Sequence, residues 1–296
     1  MRPADLLFTG GPVGIPGGPA GDSPTALAVR DGRILAVGGA EVRDTAGPAT
    51  EVVELHGRRL LPGFQDAHIH AAMGGVELGQ CDLTGTTDLD EYLRRIAAYA
   101  AGHPDSAWIV GGGWSMESFP GGVPHREILD RVVPDRPVYL INRDHHAAWV
   151  NTRTLELAGI TADTPDPASG RIDRDAGGHP VGALQEGAMS LVDVPVTTAA
   201  ERLEGLLRAQ RLLHSFGITA WQDAMVAASN GYDDISDAYL TAAGDGTLTA
   251  TVAGALWWDR DRGAEQIGEL VANRERLTVG RLRCGTVKLM LDGIAE

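Results

Sequence analysis

From residue 199 onward the sequence alternates between two hydrophobic periods, and this limits the fold more than any other feature of the chain. Ala199–Phe216 sets Leu203, Leu206, Leu207, Leu213 and Phe216 along one side of a helix, which Gly217 ends. A strand is then expected at Ile218–Asp223, a helix at Asp234–Ala243, a strand at Leu248–Trp257, a helix at Ala264–Leu277 and a strand at Thr286–Leu291. Short apolar strands alternating with helices bury their two faces in a parallel sheet or barrel.

The first sixty residues follow a different pattern. Leu6–Phe8, Thr25–Arg30, Arg33–Val37 and Glu51–Leu55 are short β-prone runs, and Asp31-Gly32 between two of them is a hairpin signal. Gly10–Gly21 reads as a loop, so a small all-β unit is expected. Further on, Leu89–Ala101 has helical spacing, Ala107–Gly111 and Pro137–Asn142 read as buried strands, and the Asp/Pro/Gly-rich Asp163–Pro180 reads as a long loop.

Chemistry concentrates at Pro62-Gly63-Phe64-Gln65-Asp66-Ala67-His68-Ile69-His70. Side chains alternate faces along a strand, so His68 and His70 point the same way, together with Asp66 and Phe64. Two neutral imidazoles so spaced can hold one divalent ion. Asp66 would orient one of the rings.

Composition narrows the class. With 43% hydrophobic and 22% charged residues the chain is globular, and a net charge of −15 argues against a nucleic-acid partner. No apolar run reaches the ~18 residues of a membrane span. The N-terminus lacks the pattern of a signal peptide. Cys81 and Cys284, two isolated cysteines, suit a reducing compartment, so a cytoplasmic protein is expected. Of 25 basic residues, 24 are Arg; Lys288 is the one lysine.

These motifs resemble the amidohydrolase superfamily, in the amidohydrolase-3 branch that includes YtcJ-like proteins and N-substituted formamide deformylases. Val29–Gly38 is similar to the family's N-terminal hairpin and Leu61–His70 to its first barrel strand. Trp108–Trp114, Leu129-Asp130, Pro134–Val138 and His146–Asn151 are similar to its insert. Gly217–Ala220 and Val287–Gly293 are similar to later barrel strands. One departure is His145, where the branch usually has Gly.

The resemblance implies an α/β fold, a (β/α)8 TIM-barrel metal-dependent hydrolase with a small N-terminal β-sandwich and a large α/β insertion. Residues 1–60 would be the N-terminal part of a composite sandwich, and 61–296 the first half of the barrel. An insertion of about 75–198 would fall between strands 1 and 2. Strands 2, 3 and 4 would be Ile218–Asp223, Leu248–Trp257 and Thr286–Leu291, so the barrel is expected to be truncated after strand 4, as in a fragment. The catalytic strand-8 Asp and further histidines of the family are then absent, and activity of this chain alone is doubtful.

By the same resemblance His68 and His70 are metal ligands for one or two divalent ions, zinc being the expected metal. Lys288, on an inward face with Asp292, would be carboxylated by CO2 and bridge two metals, a reaction closed to Arg. A snorkelling Lys288, or one paired with Asp292, stays open. Glu186, in a Gly-x-x-x-Glu element, is the rival bridging ligand; a solvated Glu is the alternative. His146 and Asp292 would line the substrate pocket, and so would Trp114, with simple packing as its alternative. Asp223, at a strand end, faces the rim, and Cys284 would lie deeper on the face of Lys288. The implied activity is hydrolysis of a non-peptide carbon–nitrogen bond, such as an amide or formamide, in a small molecule by metal-activated water. An ester hydrolase, a deaminase or a non-catalytic fragment are the alternatives. No nucleic-acid or membrane partner is expected, and a homo-oligomer stays open.

Overall fold

The computed structural model describes residues 2–14, 23–227 and 234–289. It contains two compact units, Met1–Gln65 and Asp66–Glu296.

In the first unit β1 (Leu6–Thr9), β2 (Ala26–Arg30), β3 (Arg33–Gly38) and β4 (Glu51–Glu54) form one sheet in the order β3-β2-β1-β4. Asp31 and Gly32 both take positive φ, 53° and 70°, the backbone of a two-residue hairpin turn matched to strand twist. Ala26, Ala28, Leu7 and Val42 are buried together. The second sheet of a sandwich is not among the described residues.

The second unit begins within β5 (Phe64–Ile69), which leads directly into α1 (Ala71–Glu77). An intervening segment builds its own sheet. Its elements are β6 (Cys81–Asp82), α2 (Leu89–Gly102), β7 (Ile109–Trp114), α3 (Arg126–Asp130), β8 (Val138–Asn142), β9 (Ala147–Val150), α4 (Thr152–Leu157), β10 (Gly170–Arg174) and β11 (Pro180–Glu186). The sheet order is β10-β11-β9-β8-β7-β6, parallel from β6 to β8 and antiparallel from β8 onward. Asn151 holds a corner of this unit. Its side chain caps α4 at Thr154 N–H and donates to the Val133 and Arg136 carbonyls.

The expected loop at Asp163–Pro180 is therefore corrected: it contains β10, paired with β11 at Ile172 opposite Leu184. The Asp and Gly residues that suggested a loop form the tight return between the two strands. There Asp175 accepts the Gly177 and His179 N–H groups.

After α5 (Ala199–Ser215) come β12 (Ile218–Asp223), α6 (Ser236–Gly244), β13 (Thr251–Trp257), α7 (Ile267–Arg276), β14 (Thr278–Val279) and β15 (Leu282–Lys288). Thr198 and Glu201 form a reciprocal capping box at the start of α5. The sheet order is β14-β15-β13-β12-β5, with β12, β13 and β15 mutually parallel. The strand expected at Thr286–Leu291 begins four residues earlier, at Leu282. Its turn into the sheet is made by the short antiparallel partner β14, which is too brief to leave a period in the sequence.

Helix α1 lies against α5 at two glycines. A Cβ on Gly75 would stand 1.9 Å from the Gly205 carbonyl oxygen, and one on Gly205 would stand 2.7 Å from Val76 N. Backbone meets backbone here, and the Val76 Cγ2 methyl, 2.6 Å from a Cβ on Gly205, crowds the same spot. Among the described residues no helix is long and apolar enough to cross a membrane. Gly205→Ala should lower stability by about 1–3 kcal/mol, the usual effect of overpacking a tight contact, measured by thermal or urea unfolding. An unchanged unfolding midpoint would contradict so close a crossing.

Candidate functional site

Strand β5 ends where α1 begins, and the expected histidines sit on either side of that point. The His68 and His70 rings are 5.6 Å apart at their centroids and nearly perpendicular, at 87°. Such rings are near enough to share one ion. His68 is exposed, while the Nδ1 atom of His70 is buried without a hydrogen-bond partner. Burial, then Lys288 and His68, hold the His70 imidazole below its ordinary pKa and so in the neutral form that ligates metals. Asp66 does not orient a ring. Its Oδ1 accepts the main-chain N–H of His68 at 3.0 Å, because the short side chain turns back on its own strand.

Lys288 is brought to the histidines. It lines a cavity of about 560 Å³ with His68, Gln222, Ala255 and Thr286. A bulge explains its placement. Between Ala253 and Ala255 strand β13 advances two residues while β15 advances three, from Arg283 to Thr286. The extra residue reverses the alternation of faces. Cys284 therefore packs in the core with Leu282 and Tyr239, away from the face of Lys288, which corrects the expectation that the two share a face. Burial pushes the Cys284 thiol up to about 12.

Glu186 lies elsewhere. It ends β11 on the inserted sheet, 56% exposed, and its Oε1 is 2.8 Å from His146 Nδ1. The main chains of the two residues also bond, Glu186 N–H to His146 O. The rival bridging carboxylate is thus paired with His146 and, among the described residues, does not join the histidine pair in a cluster of three. Its backbone is in the left-handed region, φ 49°, as is that of His145, φ 65°.

Trp114 is a correction. It does not line a pocket but is fully buried, donating Nε1–H to the Leu140 carbonyl at 2.7 Å and packing edge-on to Phe119 and Trp149. The bulge at Gly113, φ 95°, where Gly112 pairs with Ile141 and Trp114 already pairs with Asn142, turns the indole into the core. Asp292 lies outside the described residues.

Sequence reasoning gave Asp223 only a place at the rim, but it is the buried polar centre of the site. Its Oδ2 accepts the Tyr239 O–H at 2.7 Å and the Ala71 N–H at 3.2 Å, and its Oδ1 accepts the Met225 N–H at 3.2 Å. Burial, partly offset by the Tyr239 hydroxyl and these amides, pushes its carboxyl up to about 6. A second cavity of about 360 Å³ borders His70, with Ile69, Leu78, Ile141 and Leu213 as apolar wall. Arg143 and His145 also line it. His145 Nε2 stands 3.9 Å from Glu77, a carboxyl raised by burial against the opposing pull of His145. Among the described residues, His, Cys, Asp and Glu do not gather three to a metal site.

The parallel strands β12, β13 and β15, with helices between them and a histidine pair at the end of the neighbouring β5, define an α/β protein. Residues 51–296 match the amidohydrolase family (Amidohydro_3), and the chain belongs to that family. It is 32% identical to the exoenzymes regulatory protein AepA of Pectobacterium carotovorum subsp. carotovorum, over 92% of this chain and 61% of that one. It is 36% identical to an N-substituted formamide deformylase of Arthrobacter pascens, over 69% of this chain and 40% of that one. In structure it resembles an uncharacterized metal-dependent hydrolase from Pyrococcus furiosus, with a TM-score of 0.67 at 22% identity, covering 98% of this chain and 57% of the other. The chain spans from about a third to three-fifths of the curated relatives it matches.

Trp114→Phe should lower stability by roughly 1 kcal/mol through loss of the indole hydrogen bond to the Leu140 carbonyl, with no loss of metal affinity. A variant that loses metal while melting as the parent does would return Trp114 to the site.

Proposed function

We propose that the chain carries the metal-holding strands of an amidohydrolase (β/α)8 barrel that hydrolyses a non-peptide carbon–nitrogen bond, amide or formamide, in a small molecule. The observation that carries this reading is the perpendicular His68–His70 pair, with neutral His70 beside Lys288. His68 and His70 would hold a divalent ion, zinc by the chemistry of paired imidazoles. When bound, the ion supplies a water of lowered pKa and a Lewis acid for the substrate carbonyl.

The residues of the chain do the rest. The neutral imidazole of His70 keeps its lone pair for the ion. Lys288, turned toward the His68 cavity by the β15 bulge, would link the first ion to a second as a carbamate, its neutral amine adding to CO2 and giving up a proton to solvent. The cavity beside His70 takes the apolar substituent of the substrate against Ile69, Leu78 and Leu213, and His145 stands on the same wall. His146 and Glu186 bond to each other, and we assign them to substrate contact rather than to the ion. The relative described as a formamide deformylase supports the amide or formamide class, and the protein's address would be cytoplasmic.

Titration with zinc, followed by calorimetry and metal analysis, tests the reading. The parent chain should bind zinc stoichiometrically, and His68→Ala or His70→Ala should weaken binding by at least about a hundredfold, as loss of a direct ligand exceeds the 10–100-fold of an outer partner. Full metal content in either variant would overturn it. Lys288→Arg should lower the number of ions held when two are offered, because Arg forms no carbamate. Unchanged stoichiometry together with unchanged activity on amide and formamide substrates would remove Lys288 from the site.

A further inference from the structure

The His70 ring presents a problem that the metal reading does not solve. An imidazole has two nitrogens, and only one with a free lone pair can ligate. Nδ1 of His70 is buried and unpartnered among the described residues. The carboxylate facing it is Asp223, with Oδ1 at 4.0 Å, too far for a hydrogen bond as the structure stands but within reach of a small ring rotation.

Asp223 is not free to turn away. Tyr239 O–H and Ala71 N–H hold one oxygen, and Met225 N–H holds the other. Tyr239 is in turn fixed by the Trp221 Nε1–H at 3.1 Å. The chain Trp221–Tyr239–Asp223 thus crosses from β12 to α6 and back, and ends at the first residue of α1, next to His70. Helix α1 has no side-chain cap of its own at His70, so its leading N–H groups turn to Asp223.

We propose that Asp223 is a positioning residue for His70. Its fixed carboxylate selects the tautomer with the proton on Nδ1, leaves the Nε2 lone pair for the ion, and sets the ring's direction by anchoring the first turn of α1. Tyr239 holds Asp223 in that orientation. The inference rests on the metal reading only for its second readout; the first needs no metal.

The test is nitrogen-15 NMR of the metal-free chain, reading the two ring nitrogens of His70, combined with zinc affinity. The parent should show the Nδ1–H tautomer. In Asp223→Asn the amide N–H faces Nδ1 as a donor, so the Nε2–H tautomer should rise, and zinc affinity should fall about 10–100-fold as for other outer partners of a ligating histidine. Trp114→Phe, in the core of the inserted sheet and outside this hydrogen-bonded chain, should lower the melting temperature without moving either readout. Should Asp223→Asn not fold, Tyr239→Phe carries the test, with a smaller shift in the same direction. An Nε2–H tautomer in the parent overturns the proposal, as do ring-nitrogen shifts unchanged in both Asp223→Asn and Tyr239→Phe. Equal loss of zinc affinity in Trp114→Phe and Asp223→Asn also overturns it, since that would mark general destabilisation. A parent that binds no zinc but shows the expected tautomer, lost on changing Asp223, would sink the metal reading and leave the positioning role standing.

Discussion

The site depends on how the chain leaves β5. One residue after the strand the backbone is already helical, so the first N–H groups of α1 face inward with no capping side chain of their own. Orphan donors at a buried helix start are costly unless something accepts them. The acceptor comes from the neighbouring strand, as the Asp223 carboxylate, and the Ile69 carbonyl takes the Ala224 N–H in return. Strand end, helix start and both histidines are thereby tied to β12. The Gly75–Gly205 contact then seats α1 on α5 at backbone distance. A histidine pair on a loose loop would lack this fixed direction, and fixed direction is what a metal site requires of its ligands.

Two bulges decide which residues take part. The one in β15 turns Lys288 toward the cavity beside His68 and Cys284 into the core. The one at Gly113 in β7 sends Trp114 into the core of the inserted sheet, where it joins Phe119 and Trp149. In both strands a one-residue insertion reverses the side-chain faces beyond it. Lys288 thereby comes to line the cavity with His68, and Trp114 is withdrawn from any pocket wall.

What was legible in the sequence follows from the same physics. Periodicity located β12, α5 and the hairpin at Asp31-Gly32, because burial on one face repeats at a fixed spacing. The His-x-His pair was legible because it lies before any bulge. The face of Cys284 was not, because alternation was carried through an irregularity marked only by Gly285, and the burial of Trp114 follows a second bulge at Gly113. Strand β10 was hidden in a run of Asp, Pro and Gly whose pairing is set by β11. The His at 145 was visible, and its cost was not: its backbone takes a left-handed φ of 65°, which Gly adopts more readily. Asp223 was seen as a strand-end carboxylate, but its role needs Tyr239 and Ala71, which only the tertiary fold brings together.

The central claim is that His68 and His70 hold one ion through their rings. X-ray absorption spectroscopy of the chain loaded with one equivalent of zinc reads the ligands directly. The account predicts two imidazole nitrogens at about 2.0–2.1 Å, with oxygen or nitrogen completing the shell. A sulfur ligand near ~2.3 Å, or a shell without imidazole scattering, would contradict it.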